Sequence, residues 1–173
     1  MRDSAARDAA RRPDVGGPEI HRTAGATAVG ARSFLIAYNV YLATPKAAGQ
    51  SESILPTAAQ SDIAVARAIA RAIRASAGGL HGVKAIGVSV KGRAQVSMNI
   101  TDFRSTPMRQ IHAAVRELAR NHGAVVTEGE IIGLIPQEAY EQDADWVREI
   151  HNFNPETKVL ERMLVHPMPW PAI

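Results

Sequence analysis

The chain has 173 residues, a formal net charge of +3 and no cysteine, which suits a single domain that buries about 68–70% of its extended surface without disulfide staples. A charge this mild and mixed argues against a nucleic-acid or membrane partner, and no run approaches the roughly 18 apolar residues of a membrane span. The N-terminal MRDSAARDAARRPD has no apolar stretch of a secretory signal, so a cytoplasmic protein is the expectation.

Residues 1–15 alternate Arg, Asp and Ala without an apolar face and read as a frayed or partly helical tail. Next comes Gly16–Leu42, a glycine-rich loop feeding an apolar strand. The loop holds Gly16, Gly17, Gly25 and Gly30, with Pro18 and Thr23 among them. Glycine lets a ligand approach the main chain closely. A donor-rich loop on a rigid strand suits a small-molecule site, and a plain surface connection has the same composition, so both readings stay open. In the strand, Arg32–Leu42, alternation puts Phe34, Ile36, Tyr38, Val40 and Leu42 on one face and Ala37, Asn39 and Tyr41 on the other.

Residues 44–60 read as a long loop. Ser61 or Asp62 then caps a helix to about Ala77, stopped by Gly78 and Gly79. Arg67, Arg71 and Arg74 fall on its outer side, the pattern of a solvated helix face. Strands Val83–Lys91 and Ala94–Thr101 form a hairpin about Lys91-Gly92-Arg93. The second of them alternates strictly, with Val96, Met98 and Ile100 against Gln95, Ser97, Asn99 and Thr101. Thr106-Pro107 opens a helix to about His122, with Gly123 ending it. A strand Ala124–Leu134, interrupted by Gly129, precedes a helix Gln137–Ile150 and a last helical stretch Glu156–Leu164. The tail HPMPWPAI is held extended by its prolines.

The order β-α-β-β-α-β is the ferredoxin-like pattern, an α+β fold in which a four-stranded antiparallel sheet carries two helices on one face, here with C-terminal helices added. Its first and third strands are central neighbours. Asn39 and Tyr41 therefore share the open sheet face with Gln95, Ser97, Asn99 and Thr101, a flat bed of amides and hydroxyls fit for a heteroaromatic ring or simply for water.

The histidines offer little catalytic geometry. His112 and His122 read as solvated positions on the second helix, His81 follows a Gly-Gly turn, and His151 and His166 lie near the C-terminal helices. No pair has the HExxH spacing of a zinc site, and no Ser-His-Asp set or GxxxxGK[ST] loop occurs. His21 alone stands in the glycine-rich loop.

Four segments carry a family resemblance: PDVGGPEIHRTAGATAVGARSFLIAYNVYL, GGLHGVKAIGVSVKGRAQVSMNITDF, EGEIIGLIPQEA and NPETKVLERMLV, in order over roughly residues 13–165. Together they closely resemble the C-terminal subdomain of glutamate formiminotransferases, which in animals is part of formiminotransferase-cyclodeaminase. The resemblance implies transfer of a formimino group from formiminoglutamate to tetrahydrofolate as co-substrate. It places the folate-binding loop on Gly16, Gly17, Pro18, Glu19, Ile20, His21, Arg22, Thr23, Ala24 and Gly25, and Asn39, Gln95, Ser97 and Asn99 extend the bed. Arg22 departs from the family, where bacterial relatives more usually have proline. It could pair with a glutamyl carboxylate of folate or face water. The catalytic histidine of the family belongs to an N-terminal subdomain with no counterpart here, so no catalytic residue is expected in this chain. The expected partners are that subdomain or a homo-oligomer, with residues 16–165 as the subdomain proper and 166–173 as a tail. The competing readings are a non-catalytic ferredoxin-like binding or regulatory module and an RNA-binding domain, the latter weakened by Gln95, Ser97 and Asn99 standing where base-stacking aromatics would be needed.

Overall fold

Alternation between apolar and polar residues sets the first strand. In the computed structural model, which describes residues 14–16, 21–45 and 57–165 (the first five of the last span as backbone only), β1 is Ile36–Ala43. Ile36, Tyr38, Val40 and Leu42 are buried as the two-residue period requires. Phe34 is 56% exposed and precedes the strand, so it does not join the apolar face expected of it. The expected tail up to residue 13 and the proline-rich end 166–173 lie outside the described residues, as does most of the loop after β1. The chain divides into two compact units, Met1–Arg32 and Ser33–Ile173, and the sheet belongs to the second.

Helix α1 spans Thr57–Ile73 and begins before the expected cap, because the alanines of Thr57-Ala-Ala-Gln favour helix. Asp62 instead accepts a hydrogen bond from the Thr44 hydroxyl, tying the helix to the end of β1. A 3-10 turn, Ala75–Ala77, closes on Gly78 at φ +84°. Strands β2, Val83–Val90, and β3, Arg93–Ile100, form the hairpin, with both Lys91 (φ +49°) and Gly92 (φ +78°) in the left-handed region that a two-residue turn of this hand needs. Thr106 is no cap for helix α2, Met108–Asn121. Pro107 occupies that position, while the buried Thr106 hydroxyl donates to the His81 carbonyl at 2.8 Å.

Strand β4, Val125–Ile132, runs through Gly129 without interruption. Its irregularity lies where the register to β1 shifts between Tyr41 and Leu42. The single helix expected over 137–150 is two, α3 Gln137–Gln142 and α4 Ala144–Val147, broken at Asp143. The Asp143 side chain is buried because it accepts the Arg109 backbone N–H at 3.1 Å, pinning α2 to this turn. The final stretch is likewise two helices, α5 Pro155–Lys158 and α6 Leu160–Val165. Between them Val159 is fully buried in a parallel bridge to Ile135.

The strands form one antiparallel sheet in the order β2-β3-β1-β4. This is the ferredoxin-like arrangement, with β1 and β3 side by side at the centre. Ile69 and Ile73 of α1 and Ile111 and Val115 of α2 pack with Tyr38, Val40, Val96 and Met98 in one core, so both helices cover the same face. The opposite face carries the alternate residues of each strand, Asn39 and Gln95 among them.

Candidate functional site on the open sheet face

Because side chains alternate, the register fixes which residues share the open face. Three rows cross the sheet: Lys84, Asn99, Ala37 and Ile132; Ile86, Ser97, Asn39 and Glu130; Val88, Gln95, Tyr41 and Glu128. Asn39, Gln95, Ser97 and Asn99 thus meet at the middle, as the alternation in β1 and β3 implies. Gln95 is 3% exposed, and its Oε1 has no hydrogen-bond partner among the described residues. A buried acceptor without a donor is a cost that a ligand N–H could remove. Thr101 is engaged elsewhere, its hydroxyl donating to the Gly82 carbonyl at 2.9 Å.

Charges flank the amides, and sequence reasoning missed them because they come from the edge of the hairpin and from β4. Arg93 binds Glu128 at 2.8 Å and lies 4.0 Å from the Tyr41 ring centre. The Tyr41 hydroxyl donates to Glu130 Oε2 at 3.1 Å. Desolvation, then the Glu130 carboxylate, raises the Tyr41 phenol above its ordinary value, so it stays a donor. The signal for this lattice was available only through strand register.

The glycine-rich loop belongs to the other unit and is described by itself. Its ordered turn runs from His21 to Gly25, closed by the Gly25 N–H donating to the His21 carbonyl at 3.0 Å. His21 Nδ1 accepts from the Ala24 N–H at 3.1 Å and lies 3.3 Å from the Thr23 hydroxyl. An accepting Nδ1 fixes the Nε2–H tautomer, so this imidazole organises the turn and keeps a donor outward. Gly25 sits at φ +72° with open space where a Cβ would stand. Gly16, Arg22, Thr23 and Ala24 are exposed, whereas Gly17, Pro18, Glu19 and Ile20 lie outside the described residues.

The formiminotransferase domain matches residues 37–159, which is most of the chain. The chain belongs to the formiminotransferase family. It is 37% identical over 155 residues to the glutamate formimidoyltransferases of Thermoplasma acidophilum and Streptococcus pyogenes serotype M1, covering 88% of its own length in each case. It is 34% identical over 138 residues to the formimidoyltransferase-cyclodeaminase of Gallus gallus, covering 73% of its own length. It spans 45% and 46% of the two transferases and 22% of the bifunctional protein, so less than half of each relative.

The chain has a second concavity on the helix side, a cleft of about 530 Å³ between β4, α2 and the turn after α4. Tyr38, His112, Arg116 and Trp146 line it. His112 is half-buried, contrary to the solvated position expected from its place on α2. Its Nδ1 lies 2.7 Å from the Tyr38 hydroxyl, and Trp146 packs against both rings at 5.9 and 5.3 Å. Burial raises the Tyr38 phenol well above its ordinary value. Burial, then the nearby Arg116, lowers His112. Both therefore stay neutral near pH 7, a stable polar pair inside the fold. His81 faces Asp102 at 3.3 Å on the surface. Among the described residues no group of three His, Asp or Glu could hold a metal ion, and no helix is long and apolar enough to cross a membrane.

Proposed function

We propose that this chain supplies the folate-holding part of a glutamate formimidoyltransferase, in the cytoplasm, with tetrahydrofolate and formiminoglutamate as its substrates. The observation that carries this reading is family membership across the sheet, joined to the unpartnered Gln95 Oε1 on the sheet face opposite the two core helices. A pterin presents ring N–H and amino donors, and a buried acceptor beside Asn39, Ser97 and Asn99 suits that edge. The loop Gly16 to Gly25 is read as the second contributor. In its described turn the backbone N–H groups of Ala24 and Gly25 are spent on His21, so the His21 Nε2–H is the donor that suits an acceptor oxygen, and the Arg22 guanidinium suits a carboxylate.

In the reaction, folate N5 attacks the amidine carbon, forming the new C–N bond and a tetrahedral intermediate. The bond from that carbon to the glutamate nitrogen then breaks, N5 gives up its proton, and the departing nitrogen gains one. Such a transfer needs orientation and a proton carrier. This chain's part is orientation, since among the described residues no strand carries a histidine and His21 Nδ1 is engaged within its own turn. The carrier is a histidine of a companion formiminotransferase subdomain, from a second polypeptide or another part of a longer one.

Calorimetric titration with folinate tests the site. Gln95→Leu removes an unpaired buried acceptor, so it should leave folding stability unchanged or raised while weakening folinate binding about tenfold, the weight of one good hydrogen bond. Asn99→Ala and Gly25→Val should weaken it too. Unchanged affinity in all three would overturn the site. Formimino transfer on addition of a separately made N-terminal subdomain tests the function, and binding without transfer would favour the non-catalytic module.

A further inference from the structure

Away from the open face, Arg67, Arg71 and Arg74 follow one another at spacings of four and three along the helix-covered side of the edge strand β2. With Ala70, Ala85 and Gly87 they line a cavity of about 240 Å³. This refines the expectation of a plainly solvated arginine face. Gly87 is what lets helix and strand approach here, since a Cβ would stand 2.3 Å from the Arg67 backbone nitrogen.

No carboxylate lines this cavity, and none of the three guanidiniums has an ion pair among the described residues. The Arg74 Nε is buried without a hydrogen-bond partner among the described residues. Three like charges at helical spacing repel one another, and a desolvated donor without an acceptor costs stability. Both penalties vanish if one small, doubly charged anion with several oxygens lies among them. Guanidinium groups match such oxyanions through paired N–H···O contacts.

We infer that this cavity is a binding site for a phosphate-bearing small molecule, separate from the folate bed. A monocarboxylate has too few oxygens and too little charge to serve three arginines. A nucleic-acid strand needs a longer basic track than one cavity lined by three arginines, two alanines and a glycine.

The test titrates the 173-residue chain with pyrophosphate, inorganic phosphate and citrate at constant ionic strength, following arginine Nε–H resonances by NMR and affinity by calorimetry. Pyrophosphate and phosphate should move the Arg74 Nε–H resonance, with pyrophosphate binding more tightly than phosphate or citrate. Arg71→Gln, an exposed position that leaves folding intact, should lower pyrophosphate affinity about tenfold, as expected for one charge-assisted contact. Arg74→Gln should lower it at least as much, and Arg116→Gln on α2 should leave it unchanged. Folinate binding should persist in Arg71→Gln, so the two sites fail independently. An unmoved Arg74 resonance at saturating pyrophosphate, citrate binding as tightly as pyrophosphate, or an equal loss in Arg116→Gln would each overturn the assignment. So would a single-stranded oligonucleotide that outcompetes pyrophosphate at the same ionic strength.

Discussion

Tyr38, His112 and Gly129 show how much one residue's space decides. A Cβ on Gly129 would stand 2.6 Å from the Tyr38 hydroxyl, which is buried and held by His112. Gly129→Ala should therefore cost about 1–3 kcal/mol in urea unfolding, the usual range for overpacking. Adding Tyr38→Phe to that variant should recover part of the loss, and a strictly additive double variant would sink this account. His112 has a pH signature. Its folded pKa lies below the ordinary imidazole value near 6.5. As pH falls below about 6.5 the unfolded chain takes up a proton that the folded chain refuses, so the stability from this group is full above that pH and is lost as pH drops through the folded value. Arg116 discourages the proton, while Glu149, His151 and Glu128 also line the cleft. The melting temperature of the wild type should therefore fall more between pH 7 and pH 5 than that of His112→Gln. Neither role was legible in the sequence. A glycine in a strand and a histidine on an amphipathic helix look ordinary until the ring of Tyr38 fills the space between them.

At the scale of elements, the two-residue period made β1 and β3 readable, and with them Asn39, Gln95, Ser97 and Asn99. The breaks were not readable. Asp143 and Val159 interrupt helical stretches because one must reach the Arg109 backbone and the other must bridge to Ile135, and both partners are distant in sequence. The contact of α1 with β2 yields a test. Gly87→Ala should cost more than about 3 kcal/mol, at or beyond the top of the overpacking range, because its Cβ meets helix backbone and not a movable side chain. At the hairpin, Lys91 holds φ +49° without being glycine. Lys91→Asn should raise stability by about 0.5 kcal/mol, since asparagine tolerates that conformation and suits this turn. Thermal unfolding measures both.

For the whole molecule, the buried core among the described residues begins at Ile36 and lies within the unit Ser33–Ile173. A chain of residues 33–173 should therefore fold with a melting temperature within a few degrees of the full chain's, a change of under about 1 kcal/mol. On the proposed reading it should also bind folinate more weakly, having lost the loop Gly16–Gly25. Failure of 33–173 to fold would show that the first unit is needed for the core. Retained folinate affinity would remove the loop from the site.

The order of strands and helices, the apolar face of each and the family to which they belong follow from the sequence, because periodicity and motif order are local properties of a chain. Which polar groups are left without partners is not local. The unpaired Gln95 oxygen, the neutral Tyr38–His112 pair and the three arginines beside β2 exist only once register and helix docking set their neighbours. Tertiary structure decided these, since whether a buried polar group is satisfied depends on contacts between residues far apart in the chain.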